Sequence, residues 1–203
     1  MIIGIDFDNT IASYDELMHR LAVEWEWVAA GMPKSKKLIR DALRALPEGE
    51  IKWRQLQTQC YGPGMRDARP MDGLKDFLAA CKSHGVPVRV VSHKTEFANF
   101  GDPTVKLRAA ALDWMTRQEF FSSPRFGLSR EHVYFEESRA GKIERIRALG
   151  LTHFIDDLEE TFLEESFPPQ VERILYSPQP VADGKGAWRA FGSWGEIRQH
   201  LLP

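Results

Sequence analysis

Five short apolar runs are spaced along the chain: Met1–Ile5, Val86–Val91, Val133–Phe135, His153–Ile155 and Val171–Tyr176. Runs of this length, rich in β-branched residues, suit strands buried on both faces of a parallel sheet. Pro87 is tolerable at the start of its strand. Helical patterns lie between the runs. Leu74, Phe77, Leu78 and Cys81 repeat at helical spacing, with Gly85 as a stop. Asp102-Pro103-Thr104 reads as a cap with Pro in the first turn of a helix carrying Leu107, Ala111, Leu112 and Met115. Lys142 to Leu149 reads as a helix ending at Gly150. Ser193 with Glu196 fits a capping box for a final helix that buries Ile197, Leu201 and Leu202. Strands alternating with helices imply right-handed crossovers, hence an α/β fold with a mostly parallel five-stranded sheet and helices on both faces.

Between about Ser13 and Arg69 the alternation stops. Leu17, Leu21, Trp25 and Val28 make one apolar helical stripe, and Ile39, Leu43 and Leu46 make another. Residues 51–60 allow a third. Pro33, Pro47, Gly49 and Gly62-Pro63-Gly64 punctuate them. The expected organisation is a core of residues 1–12 and 70–203, with 13–69 inserted as a small helical subdomain. A length of 203 residues favours one domain with such an insert.

Charge and composition exclude several classes. With 27 Lys and Arg against 29 Asp and Glu, the net charge of −2 makes no case for bulk nucleic-acid binding. No run approaches the ~18 apolar residues of a membrane span. Acidic residues appear by Asp6, so the start is not a signal peptide. Two cysteines make neither a disulfide framework nor a metal set, and the six histidines lack paired zinc-ligand spacing. A cytoplasmic setting is the simplest expectation.

The chemistry-bearing residues sit at strand ends. Asp6-Phe7-Asp8-Asn9-Thr10 follows the first run, with two carboxylates at i and i+2 on one side of an extended chain. Open parallel sheets place ligand sites at the carboxyl ends of their strands, although Asp and Asn are also ordinary turn residues. Ser92, followed by His93 and Lys94, ends the second run. Asp156 and Asp157 end the fourth, where two adjacent carboxylates after a buried strand invite a cation. Lys142 lies 14 residues before Asp156, where a lysine is ordinarily a solvated helix residue.

Together these residues resemble the haloacid dehalogenase-like (HAD) hydrolase superfamily, in its phosphatase branch with a helical type-one cap. Asp6-Phe7-Asp8-Asn9-Thr10 matches the first motif, Asp-x-Asp-x-Thr. Ser92 matches the second, Lys142 is assigned to the third, and Asp156-Asp157 matches the fourth. The resemblance covers most of the chain except the insert. It implies a Rossmann-like three-layer α/β/α sandwich. Asp6 would be a nucleophile forming an aspartyl-phosphate, and Asp8 a general acid and then base, a side chain the dehalogenase branch lacks. Mg²⁺ would be held by the Asp6 carboxylate, the Asp8 main-chain carbonyl and the Asp156/Asp157 pair. Ser92 would bond a phosphoryl oxygen, Lys142 would neutralise charge around Asp6, and Thr10 would support the loop. The cap would close over substrate and exclude water.

His93 and Lys94 are further substrate-facing candidates. Lys94 rivals Lys142 for the charge-compensating role, and Arg139 is a weaker rival. Glu136 and Glu137 could border the mouth. Lys34, Lys36, Lys37, Arg40 and Arg44 could draw in an anion, although such a run is ordinarily a solvated helix face. Trp25, Trp27 and Trp53 could line a specificity pocket, although at helical spacing aromatics ordinarily form core. The expected function is a Mg²⁺-dependent phosphomonoester hydrolase acting on a small phosphorylated metabolite, a phosphosugar or nucleotide. The alternatives are a phosphotransferase or phosphomutase using the same intermediate, and a non-catalytic binding module.

Overall fold

In the computed structural model, which describes residues 1–179 and 187–202, a central sheet lines up the strand ends that carry the motif residues. In chain order the elements are β1 (Ile3–Ile5), β2 (Ala12–Ser13), α1 (Asp15–Glu24), α2 (Lys36–Arg44), α3 (Gly49–Tyr61), β3 (Arg69–Pro70), α4 (Leu74–Ser83), β4 (Val88–His93), α5 (Leu107–Arg117), β5 (Val133–Glu136), α6 (Arg139–Ala148), β6 (His153–Asp156), α7 (Glu159–Phe162), β7 (Glu172–Tyr176), β8 (Arg189–Phe191) and α8 (Trp194–Leu201). The strand order is β5-β4-β1-β6-β7-β8. Every pairing in this sheet is parallel, and the fold is α/β and Rossmann-like.

Six strands form the sheet, not the five read from the sequence. The sixth, β8, is Arg-Ala-Phe at an edge, with two exposed residues and one half-buried. A short edge strand buries too little to carry an apolar run, so its sequence gives no signal. Elsewhere the side-chain alternation of a strand sorts the core. Val91, Phe154 and Leu175 pack in one cluster with Ile143 and Ile146 of α6 and Phe162 of α7. Their neighbours Val90, Ile155 and Ile174, also buried, point to the opposite face. There Phe77 of α4 and Tyr176 of β7 meet Trp194 of α8, at 4.9 and 5.6 Å between ring centroids. Gly4 in β1 is required by packing, because a Cβ there would collide with Leu151 and Phe154.

The caps carry the helix positions. Ser193 Oγ caps α8 by accepting from Glu196 N at 3.2 Å, and Glu196 Oε2 reaches back to accept from Gly192 N at 2.7 Å, one residue before the cap. Helix α6 begins earlier than its apolar pattern, at Arg139, because Ser138 Oγ caps it by accepting from Gly141 N at 3.1 Å. The 102–104 segment is not a helix cap. Asp102 Oδ1 accepts from Thr104 N and Oγ1 at 2.8 and 2.6 Å, a local turn, and α5 starts at Leu107.

The chain divides into two compact units, Met1–Ala12 with Pro70–Lys94 and Met115–Pro203, and Ser13–Arg69 with Thr95–Trp114. The sequence placed 95–114 in the core. It clusters instead with 13–69, where Trp114 Nε1 donates to the Ala68 carbonyl at 2.9 Å and Thr58 Oγ1 donates to that of Phe100 at 3.0 Å. This second unit is helical, built on Leu17, Leu21, Ile39, Leu43, Trp53 and Leu56. Its basic run is offset by nearby acids: Lys34 pairs with Glu16, Arg40 with Asp41 and Arg44 with Glu50. No helix among the described residues is long and apolar enough to cross a membrane.

Candidate active site

β1 lies between β4 and β6: the chain first adds β4 and β5 on one side of it, then crosses back to add β6, β7 and β8 on the other. This is the switch point at which open α/β sheets form a crevice beyond their carboxyl ends. Asp6 emerges from β1 there, its N–H donating to the Ile155 carbonyl at 2.9 Å. Ser92 comes from the end of β4 and Asp156 from the end of β6. Asp6 is 5% exposed and Asp156 fully buried.

Two buried ions of opposite sign need each other at such a site. Lys142, on the first turns of α6, reaches both acids: its Nζ donates to Asp6 Oδ1 at 2.6 Å and to Asp156 Oδ2 at 2.7 Å. Burial pulls the Lys142 ammonium toward its neutral form, but the facing Asp156 and Asp6 charges outweigh it and hold the group well above its ordinary value. Burial pushes the Asp6 carboxyl up to about 6, with Lys142 opposing and the Asp156 and Asp8 charges adding to the rise. Asp156 Oδ1 also accepts from Leu158 N at 3.0 Å.

The two rival lysines serve different acids. Lys94, also buried, lies with its Nζ 2.9 Å from Asp8 Oδ2 and 3.1 Å from Oδ1. Its backbone N–H donates to the Glu136 carbonyl at 2.9 Å, so β5 fixes where it starts. Arg139 pairs with Glu164 at 3.0 Å. The Glu136 carboxylate takes Arg145 at 2.7 Å. His93 is exposed, its Nε2 3.1 Å from the Glu137 carbonyl. Ser92 is buried beside the β1 end.

Sequence reasoning did not single out Asn9. It adopts φ 59°, a left-handed conformation that Asn tolerates better than most residues. The resulting turn lets Ile11 N and Ala12 N both donate to the Phe7 carbonyl at 3.0 Å. An Asn directly after a strand-terminating acid was the available signal. Thr10 closes the loop. It is fully buried, its carbonyl accepts from Trp194 Nε1 at 3.3 Å, and its Oγ1 has no hydrogen-bond partner among the described residues. A buried hydroxyl without a partner costs about 1–3 kcal/mol. Thr10→Val is therefore expected to leave stability unchanged or raise it by about 1 kcal/mol in urea denaturation. A fall larger than that would show that the hydroxyl is bonded in solution.

Carboxylate oxygens of Asp6, Asp156 and Asp157 lie within 4.8 Å of one another. Hard oxygen donors at this spacing fit a hard divalent cation.

No family model matches the sequence, and no curated protein matches it. Solved structures do. A HAD family hydrolase from Deinococcus radiodurans R1, with bound phosphate and sodium, matches at a TM-score of 0.58 and 17% identity over 98% of this chain and 94% of its own. A predicted phosphoglycolate phosphatase from Haemophilus somnus 129pt matches at 0.52 and 17%, over 98% and 96%. A dehalogenase with an intermediate complex matches at 0.58 and 12%, over 100% and 97%. The chain has the HAD-like fold, that of the HAD-superfamily hydrolases.

Proposed function

We propose that this chain is a Mg²⁺-dependent phosphomonoester hydrolase acting through an aspartyl-phosphate on Asp6. The observation that carries this reading is the pair of lysine–carboxylate contacts at adjacent strand ends. Lys142 bridges Asp6 and Asp156, and a separate lysine, Lys94, serves Asp8. Two acids two residues apart thus have different partners, which suits different roles.

In the proposed reaction an Asp6 oxygen attacks phosphorus in line and the bond to the leaving oxygen breaks. Asp8, as the acid, gives that oxygen its proton. Asp8, now the carboxylate, takes a proton from the water that attacks phosphorus, releasing inorganic phosphate and restoring Asp6. Lys142 offsets the charge that would otherwise repel the phosphoryl group from Asp6, and Ser92 would donate to a phosphoryl oxygen. Mg²⁺, held by the Asp6 carboxylate, the Asp8 carbonyl and the Asp156/Asp157 pair, would supply further charge compensation at phosphorus. Asp8 favours phosphate over a carbon–halogen bond as the target, since a halide leaves without a proton while an alkoxide needs one. A small phosphosugar or nucleotide is the substrate class we favour, by the likeness of the helical insert to the caps of small-molecule phosphatases.

The test is phosphate release across a panel of alkyl phosphomonoesters, with Mg²⁺ and with EDTA. Release that needs Mg²⁺ and falls about 10²–10⁴-fold in Asp8→Ala is expected. Phosphate retained on a second organic acceptor would shift the assignment to phosphotransfer. Turnover of a 2-haloacid in place of any phosphoester would shift it to dehalogenation. No turnover at all would leave a binding module.

A further inference from the structure

The helical unit holds a cleft of about 410 Å³, within the range that takes a small organic ligand. Of the three tryptophans considered from sequence, Trp53 is buried in that unit's core, while Trp25 and Trp27 line the cleft. Their indoles meet edge to face at 4.6 Å and 66°, and Phe100 and Pro63 add further apolar wall. Thr58 Oγ1, bonded to the Phe100 carbonyl at 3.0 Å, ties the Phe100 segment to α3. Two glutamines add polar groups to the lining. Gln55 and Gln59, one turn apart on α3, bring two amides that make no hydrogen bond among the described residues, and the same holds for the two indole N–H groups.

We propose that this cleft binds a neutral heteroaromatic ring of the nucleobase class. Three features select it. Aromatic faces stack on any base, and alanine substitution of such a ring weakens binding strongly. A glutamine amide offers a donor and an acceptor side by side, the pattern that a base edge answers. Charge argues against other ligands. No Lys or Arg lines the cleft, and the cation beside it, Lys52, is engaged over the Trp27 ring, so a phosphate or carboxylate finds no basic side chain in the lining. Asp102, its one acidic residue, directs Oδ1 to Thr104. A cationic ligand is disfavoured too, because Lys52 Nζ already stands 5.4 Å over the Trp27 ring. Every residue named lies in the helical unit, so the proposal does not depend on the chemistry assigned to Asp6.

Calorimetric titration of the full chain with adenosine and uridine tests this, beside methyl glucoside and choline. Saturable, submillimolar binding of at least one nucleoside is expected, weakened about tenfold or more in Trp27→Ala and unchanged in Asp6→Asn. Gln59→Leu should alter the preference between adenosine and uridine, a readout that loss of packing alone would not move. The proposal is overturned if neither nucleoside binds to protein with an intact thermal transition. Tighter binding of the glucoside or choline would overturn it as well, as would adenosine affinity unaffected by both cleft variants.

Discussion

Asp6→Asn is expected to abolish Mg²⁺-dependent phosphate release, lowering kcat by on the order of 10⁴-fold or more. Asn has the shape of Asp but cannot form a stable acyl phosphate. The substitution should leave the fold in place, because Lys142 keeps Asp156 as an anionic partner at 2.7 Å. Rapid-quench labelling with a phosphorylated substrate separates the causes. The parent protein should hold an acid-stable, hydroxylamine-sensitive label that the variant lacks. A variant that keeps full activity would remove Asp6 as nucleophile and the proposed mechanism with it.

Lys142→Met should produce the largest loss of stability at the site. It removes the ammonium shared by Asp6 and Asp156, which are 5% and 0% exposed, and leaves two carboxylates facing each other in the interior. Breaking a buried pair by deleting one partner costs about 3–5 kcal/mol. For a chain of this size that lowers the thermal midpoint by about 10 °C. Mg²⁺ should raise the variant's midpoint more than the parent's, since a cation at the three carboxylates would replace the lost charge. Equal Mg²⁺ shifts would argue against a cation at Asp6, Asp156 and Asp157. The same change at Lys94 should cost less, because its partner Asp8 retains 19% side-chain exposure and can turn to water.

Much of the sheet was legible because a strand buried on both faces must be apolar throughout. β1, β4, β5, β6 and β7 could therefore be read as runs, and their parallel arrangement from the alternation with helices, while the strand order came only with the structure. β8 could not, since an edge strand of Arg-Ala-Phe carries no such constraint. The start of α5 was misplaced because Asp-Pro-Thr serves a helix cap or a turn equally well, and the choice lies in what Asp102 bonds. Residues 95–114 look like core by their helical pattern. What gathers them with the insert is a set of long-range bonds, such as Trp114 to Ala68, that no local pattern encodes.

The same division runs through the candidate site. Neighbouring residues alone set which residue types stand at the strand ends: Asp6, Asp8, Ser92, Asp156 and Asp157, each following an apolar run. Local backbone chemistry suffices for that, because strand burial and turn polarity are written in neighbouring residues. The partner of each lysine was a matter for tertiary structure alone. Lys142 lies 136 residues from Asp6, and Lys94 lies 86 from Asp8. Only parallel pairing of β1 with β4 and β6 brings them within hydrogen-bond reach, and only burial makes those charge pairs obligatory.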